Sequence, residues 1–113
     1  MNKNFEVNKM RAFEVNDYWT IIAKNKDEAI KFYIEECEGD ETEIFAKEIN
    51  PEKHYMYFPI EEIPETRLKE LKQENAKTYE YEGKIYIQIT KAEAMKYRKE
   101  EKPYILSVSA ELL

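Results

Sequence analysis

Met10-Arg11-Ala12-Phe13-Glu14-Val15-Asn16-Asp17-Tyr18-Trp19-Thr20-Ile21-Ile22-Ala23, followed after Lys24 by Asn25-Lys26-Asp27-Glu28-Ala29-Ile30-Lys31-Phe32-Tyr33-Ile34-Glu35-Glu36-Cys37, decides the fold class. Phe13 and Val15 alternate with Glu14, the period of a half-buried strand. Tyr18–Ala23 is aromatic and β-branched, which suits a pleated surface, and Trp19, Ile21 and Ala23 share one face. Asn16 and Asp17 tolerate left-handed backbone and tie up turn amides, so the two runs read as a hairpin. Asn25 and Glu28 have the spacing of a capping pair at a helix start. Ile30, Tyr33, Ile34 and Cys37 recur at i, i+3, i+4 and i+7 and predict one buried helical face. Gly39 falls where a left-handed C-terminal cap belongs. Hairpin and helix each have an apolar face that the other can cover.

Working outward, Pro51 breaks the chain, and His54-Tyr55-Met56-Tyr57-Phe58 reads as an aromatic strand stopped by Pro59. Its rings are expected to pack in the core rather than to stack nucleobases. Pro64 opens a helix over 65–75 whose apolar anchors are Leu68 and Leu71. Thr78–Tyr81 and Ile85–Ile89 form a second hairpin turning at Glu82-Gly83, with Ile85, Ile87 and Ile89 inward and Tyr86 and Gln88 outward. Thr90 and Glu93 make a capping box for a third helix, which turns Ala94 and Met95 to the core. Tyr104–Ala110 is a last strand, and its nearly continuous apolar run predicts a place inside the sheet. The segment 43–49 fits a short helix or a strand equally. The expectation is an α+β fold: one domain over 10–113, a mostly antiparallel sheet of about four to six strands (two hairpins plus a C-terminal strand) and two to three helices. Residues 1–9 read as a leader, in which Phe5-Glu6-Val7-Asn8 repeats Phe13-Glu14-Val15-Asn16.

The 113 residues carry 18 Lys and Arg against 24 Asp and Glu, a net charge of −6. That balance disfavours direct nucleic-acid binding, which calls for a basic stripe, and suits the filling of a basic groove on another protein. Nine Tyr, five Phe and one Trp argue for a folded chain. No apolar run approaches the roughly 18–20 residues of a membrane span, and the first residues lack a basic-then-apolar pattern, so a cytoplasmic protein without a membrane partner is expected. Cys37, the only cysteine, lies on the apolar helix face and reads as an inert thiol. His54 is the only histidine, which leaves no zinc set. There is no glycine-rich phosphate loop. Ser107 and Ser109 have no glycine elbow or partner histidine, and the acidic run lacks EF-hand spacing. No catalytic residue is assigned, no metal or other cofactor is expected, and the chain reads as a non-enzyme.

What remains is Glu35, Glu36, Glu38, Asp40, Glu41 and Glu43, six acids within nine positions. They repel one another and face the negative end of a helix dipole, a local conflict that points to function rather than stability. These residues are assigned as the partner-binding surface, for a basic protein partner. Two alternatives stand beside this one. Tyr55, Tyr57, Tyr79 and Tyr81 could line a pocket for a small ligand such as a nucleotide, or the chain could be a structural accessory protein.

Met10–Asp17, then Ile22-Ala23, Asp27-Glu28-Ala29 and Tyr33, resemble a group of small tailed-phage and prophage proteins of unassigned function. Such proteins open with a basic residue, Phe, Val and Asn-Asp, then a short strand and a helix that starts with two acids and Ala. The likeness extends loosely through Tyr55-Met56-Tyr57 and Glu61-Glu62-Ile63-Pro64-Glu65 to Ser109 and Glu111. The resemblance implies a phage or mobile-element origin. By analogy it also implies a role against host defence, as in anti-CRISPR proteins that occupy the nucleic-acid channel of a nuclease.

Overall fold

Asn16 and Asp17 both adopt left-handed backbone, with φ of 51° and 65°, and turn β1 (Arg11–Val15) back onto β2 (Trp19–Ala23). The pairing is antiparallel and sets Phe13 opposite Ile21 and Val15 opposite Trp19. The computed structural model describes residues 9–37 and 44–108, and it has the expected α+β architecture with antiparallel strands. The strands belong to two sheets rather than one. By contacts the chain divides into two compact units, one made of Met1–Asn50 with Glu100–Leu113 and the other of Pro51–Lys99.

In the first unit, β3 (Ala46–Ile49) joins the free side of β1 and β7 (Tyr104–Val108) joins β2, giving the order β3-β1-β2-β7. The undecided segment after the first helix is therefore a strand. Both faces of this sheet are apolar. Ile49, Ala12, Ile22 and Tyr104 form one buried row across the four strands. Phe13, Val15, Ile21 and Ala23 form the other face, and Ala29 and Tyr33 of α1 (Lys26–Cys37) cover it. The Trp19 ring meets Tyr33 edge-on at 5.9 Å. Burying each of the larger side chains contributes about 1.5–3 kcal/mol. The helix start forms as its sequence predicts. Asn25 Oδ1 accepts from the Glu28 N–H at 2.8 Å, and Glu28 Oε1 accepts from the Lys24 N–H at 2.8 Å.

Two expectations need correction here. The buried stripe of α1 runs through Ala29 and Tyr33, flanked by Phe32 and Cys37, whereas Ile30 and Ile34 are only half-buried and line a shallow recess with Asp27, Lys31 and Glu35. Apolar residues ring most of this helix, so its spacing admits two faces, and small Ala29 lets the helix approach the sheet on one of them. Strand β7 lies at an edge, paired among the described residues with β2 alone. Its apolar run conceals an alternation, with Tyr104 and Leu106 buried and Ile105 and Ser107 half-buried. The register slips around Leu106, because Thr20 faces Ser107 while Ile21 faces Ile105, as at a β-bulge.

The second unit centres on β6 (Lys84–Thr90), with β4 (Tyr55–Pro59) on one side and β5 (Thr78–Tyr81) on the other, both antiparallel. Glu82 and Gly83 make the β5–β6 turn at φ 50° and 80°, backbone that glycine adopts without strain. The inward face buries Phe58, Ile87 and Ile89, whereas Ile85, expected inward with them, is exposed near the hairpin turn. The unit's other buried apolar side chains are Ile63, Leu71 of α2 (Glu65–Gln73) and Ala94 of α3 (Lys91–Tyr97). Tyr97 packs on Phe58 at 5.7 Å, and the Arg98 guanidinium lies 4.6 Å from the Phe58 ring centre. Thr90 Oγ1 accepts from the Glu93 N–H at 3.0 Å, but the Glu93 carboxylate turns to Arg67 rather than back to the cap, so only half of the capping box forms.

Candidate functional site

The acidic surface expected after α1 is described only in part. Glu35 and Glu36 are exposed on the last turn of the helix, while Glu38, Asp40, Glu41 and Glu43 lie outside the described residues. Cys37 beside them is partly buried. Burial, and then the Glu36 charge, push its thiol above the usual range, so it stays protonated and a poor nucleophile at neutral pH.

No local pattern points to Phe45, which is 77% exposed. Its main chain is held on both sides by one residue. The Phe45 N–H donates to Asn16 Oδ1 at 2.8 Å, and the Phe45 carbonyl accepts from the Asn16 N–H at 2.7 Å. Asn16 Nδ2 also donates to the Tyr33 hydroxyl at 3.2 Å. The residue that makes the hairpin turn therefore ties that turn to α1 and to the approach of β3. The result is an exposed aromatic ring on a fixed backbone. Only long-range pairing produces it, so local spacing could not have revealed it.

A second exposed surface lies on the three-stranded sheet. Cross-strand register puts Tyr55, Tyr57, Tyr79, Tyr81, Lys84, Tyr86 and Gln88 on one face, opposite the Phe58–Ile87 core face. The rings of Tyr57 and Tyr79 lie 5.6 Å apart and those of Tyr79 and Tyr86 6.3 Å apart, which confirms the shared side. Tyr79 and Tyr81 are stacked 6.3 Å apart and within 10° of parallel. Tyr55, Tyr57, Tyr79 and Tyr81 are each at least 40% exposed. They form an open face rather than a pocket, and of the β4 aromatics only Phe58 is fully buried. No carboxylate belongs to this face, since Glu80 of β5 has the opposite parity.

The strongest charge cluster is structural in character. The Arg67 guanidinium grips Glu93 in two bonds of 2.8 and 2.9 Å and also reaches Glu70 at 3.1 Å. The Tyr97 hydroxyl donates to Glu93 at 2.5 Å. These bonds, led by that from Arg67, hold the Glu93 carboxyl below the usual range despite its burial. Burial, then the Glu93 bond, pushes Tyr97 up to about 12. Through these bonds the cluster locks α2 to α3.

Charge divides between the units. Pro51–Lys99 holds ten Lys and Arg against nine Glu, whereas the remainder of the chain holds eight bases against fifteen acids. Among the described residues no three metal-ligating side chains cluster, no buried side-chain polar atom lacks a hydrogen-bond partner, and no helix is long and apolar enough to cross a membrane. No protein-family model, curated protein or solved structure matches the chain.

Proposed function

We propose that the chain is a non-catalytic protein-binding module that inhibits a host nucleic-acid-binding defence complex, acting in the bacterial cytoplasm by occupying the partner's basic surface. The observation that carries this reading is Phe45, an exposed ring on a clamped backbone that follows directly after the acidic run. A pre-ordered aromatic loses little entropy on docking, and such residues dominate binding energy at protein interfaces. The chain's net negative charge would steer encounter with a basic partner. The concentration of net negative charge in the unit that carries Phe45 supports the reading, as does the resemblance to small phage proteins.

The test uses purified nucleic-acid-binding defence effectors with the full chain, at about 50 and 500 mM salt. Binding should weaken with salt and compete with the effector's own nucleic acid. Phe45→Ala should weaken it about tenfold or more. Glu35→Lys with Glu36→Lys should slow association. Binding to no effector, or affinities unmoved by both sets of changes, rules the proposal out.

A further inference from the structure

We propose that the tyrosine face of the three-stranded sheet is a stacking platform for unpaired bases of single-stranded nucleic acid. This inference does not depend on the function proposed above, since it concerns residues of the other unit. Three observations carry it. The first is ring geometry: Tyr79 and Tyr81 stand within 10° of parallel at 6.3 Å. Near-parallel rings on one open face offer their π-surfaces to flat bases laid across the strands. Tyr57 and Tyr86 flank Tyr79 and extend the platform across all three strands. The second is charge. In a chain with 24 acids and 18 bases, this face carries Lys84 and no carboxylate. Lys84 pairs in register with Tyr81, which puts one basic residue on the same face as the rings, available to a backbone phosphate. The third is composition. The hydroxyls and the Gln88 amide can both donate and accept along base edges.

Stacking on aromatic rings tolerates any base, because each has a π-face, so the platform would show little sequence preference. With few cations near the face, the salt dependence should be shallow. Each phosphate contact costs about threefold in affinity between 50 and 200 mM salt for a single strand. A duplex hides the faces of its bases and should not bind here. A second copy of this chain is the competing occupant, and it predicts a different result.

The experiment is fluorescence anisotropy of labelled 12-nucleotide oligo(dT) and oligo(U) with the full chain, beside a 12-base-pair duplex and free UMP. The single strands should bind at least tenfold more tightly than the duplex and UMP. Tyr79→Ala should weaken them about 5- to 150-fold, the usual cost of removing one stacking ring, while Tyr79→Phe should bind like the parent. Phe45→Ala should leave oligonucleotide binding unchanged, which separates failure here from failure of the inhibitor reading. No single-strand binding at about 1 mM protein overturns the proposal, and so does a Tyr79→Ala variant that binds as well as the parent. Equal affinity for duplex, or for UMP, overturns it as well. Sedimentation of the same samples gives the remaining outcome: self-association abolished by Tyr79→Ala, without oligonucleotide binding, assigns the face to a second copy.

Discussion

The four-stranded sheet buries both of its faces, Phe13, Val15 and Ile21 on one side and Ala12, Ile22 and Tyr104 on the other. The three-stranded sheet buries Phe58, Ile87 and Ile89 on one side and leaves tyrosines in solvent on the other. Both are antiparallel sheets in which a hairpin leads into or out of a helix, so local construction does not explain the difference. The second sheet's open face uses residues whose apolar bodies end in a hydroxyl, a type that stays soluble while offering contact area. One sheet acts as scaffold on both sides, and the other keeps a side for something else.

The largest expected effect contrasts the two sheets directly. Phe13→Ala should cost about 3–5 kcal/mol in chemical denaturation, while Tyr79→Ala should stay within about 0.5 kcal/mol. A comparable loss from Tyr79→Ala would mean that its face is packing surface and would erase the contrast. Asn16→Ala comes next, at about 1.5–3 kcal/mol, because it removes the side-chain bonds to Phe45 and Tyr33 and puts alanine in left-handed backbone. A near-neutral result by the same measurement would mean that the turn holds without the clamp.

The Arg67–Glu93 lock sharpens the comparison from the other unit. Arg67→Met should cost about 1–2 kcal/mol at pH 7. Glu93 titrates lower in the folded state than in the unfolded chain, so its contribution is complete above the unfolded carboxyl value and is lost as pH falls through the folded one. The gap between parent and Arg67→Met in urea midpoint should therefore close in acid. Tyr97 works in the opposite direction. Its folded value of about 12 lies above the ordinary 10, so stability should fall as pH rises from 10 toward 12. Smallest among the packing substitutions is Ile34→Ala, expected below about 1 kcal/mol because that side chain lies at the margin of the helix interface. A loss as large as that of Phe13→Ala would restore the helical face that spacing alone predicts.

Much of the fold was legible from the sequence, because its punctuation is chemical. Asn16-Asp17 and Glu82-Gly83 mark both hairpins, and Asn25 and Thr90 mark two helix starts where the caps form. The rotation of α1 was not legible, since apolar residues lie on more than one of its sides. Nor was the edge position of β7, since a short apolar run reads alike at an edge and in a centre. The division into two sheets depends on which strands pair over long range. The candidate surfaces were harder still. The alternation of Tyr86 and Gln88 with the isoleucines indicates an outward face, whereas spacing leaves Tyr55 and Tyr57 open between core packing and a tyrosine-lined pocket, and only register puts them on the open face with Tyr79. Phe45 depends on a hydrogen bond spanning 29 positions, which no local pattern encodes.

Strand β7 returns to β2 only after the chain has passed through the whole of Pro51–Lys99. Joining Ile22 to Tyr104 closes a loop of about 80 residues, an entropy cost near 4 kcal/mol by the logarithmic law. If the intervening unit collapses first, about 30 flexible residues remain, and the cost falls by roughly 0.8 kcal/mol, about fourfold in rate. The tyrosine-bearing unit would then act as a folding aid to the other, shortening the search by which the chain's end finds its place.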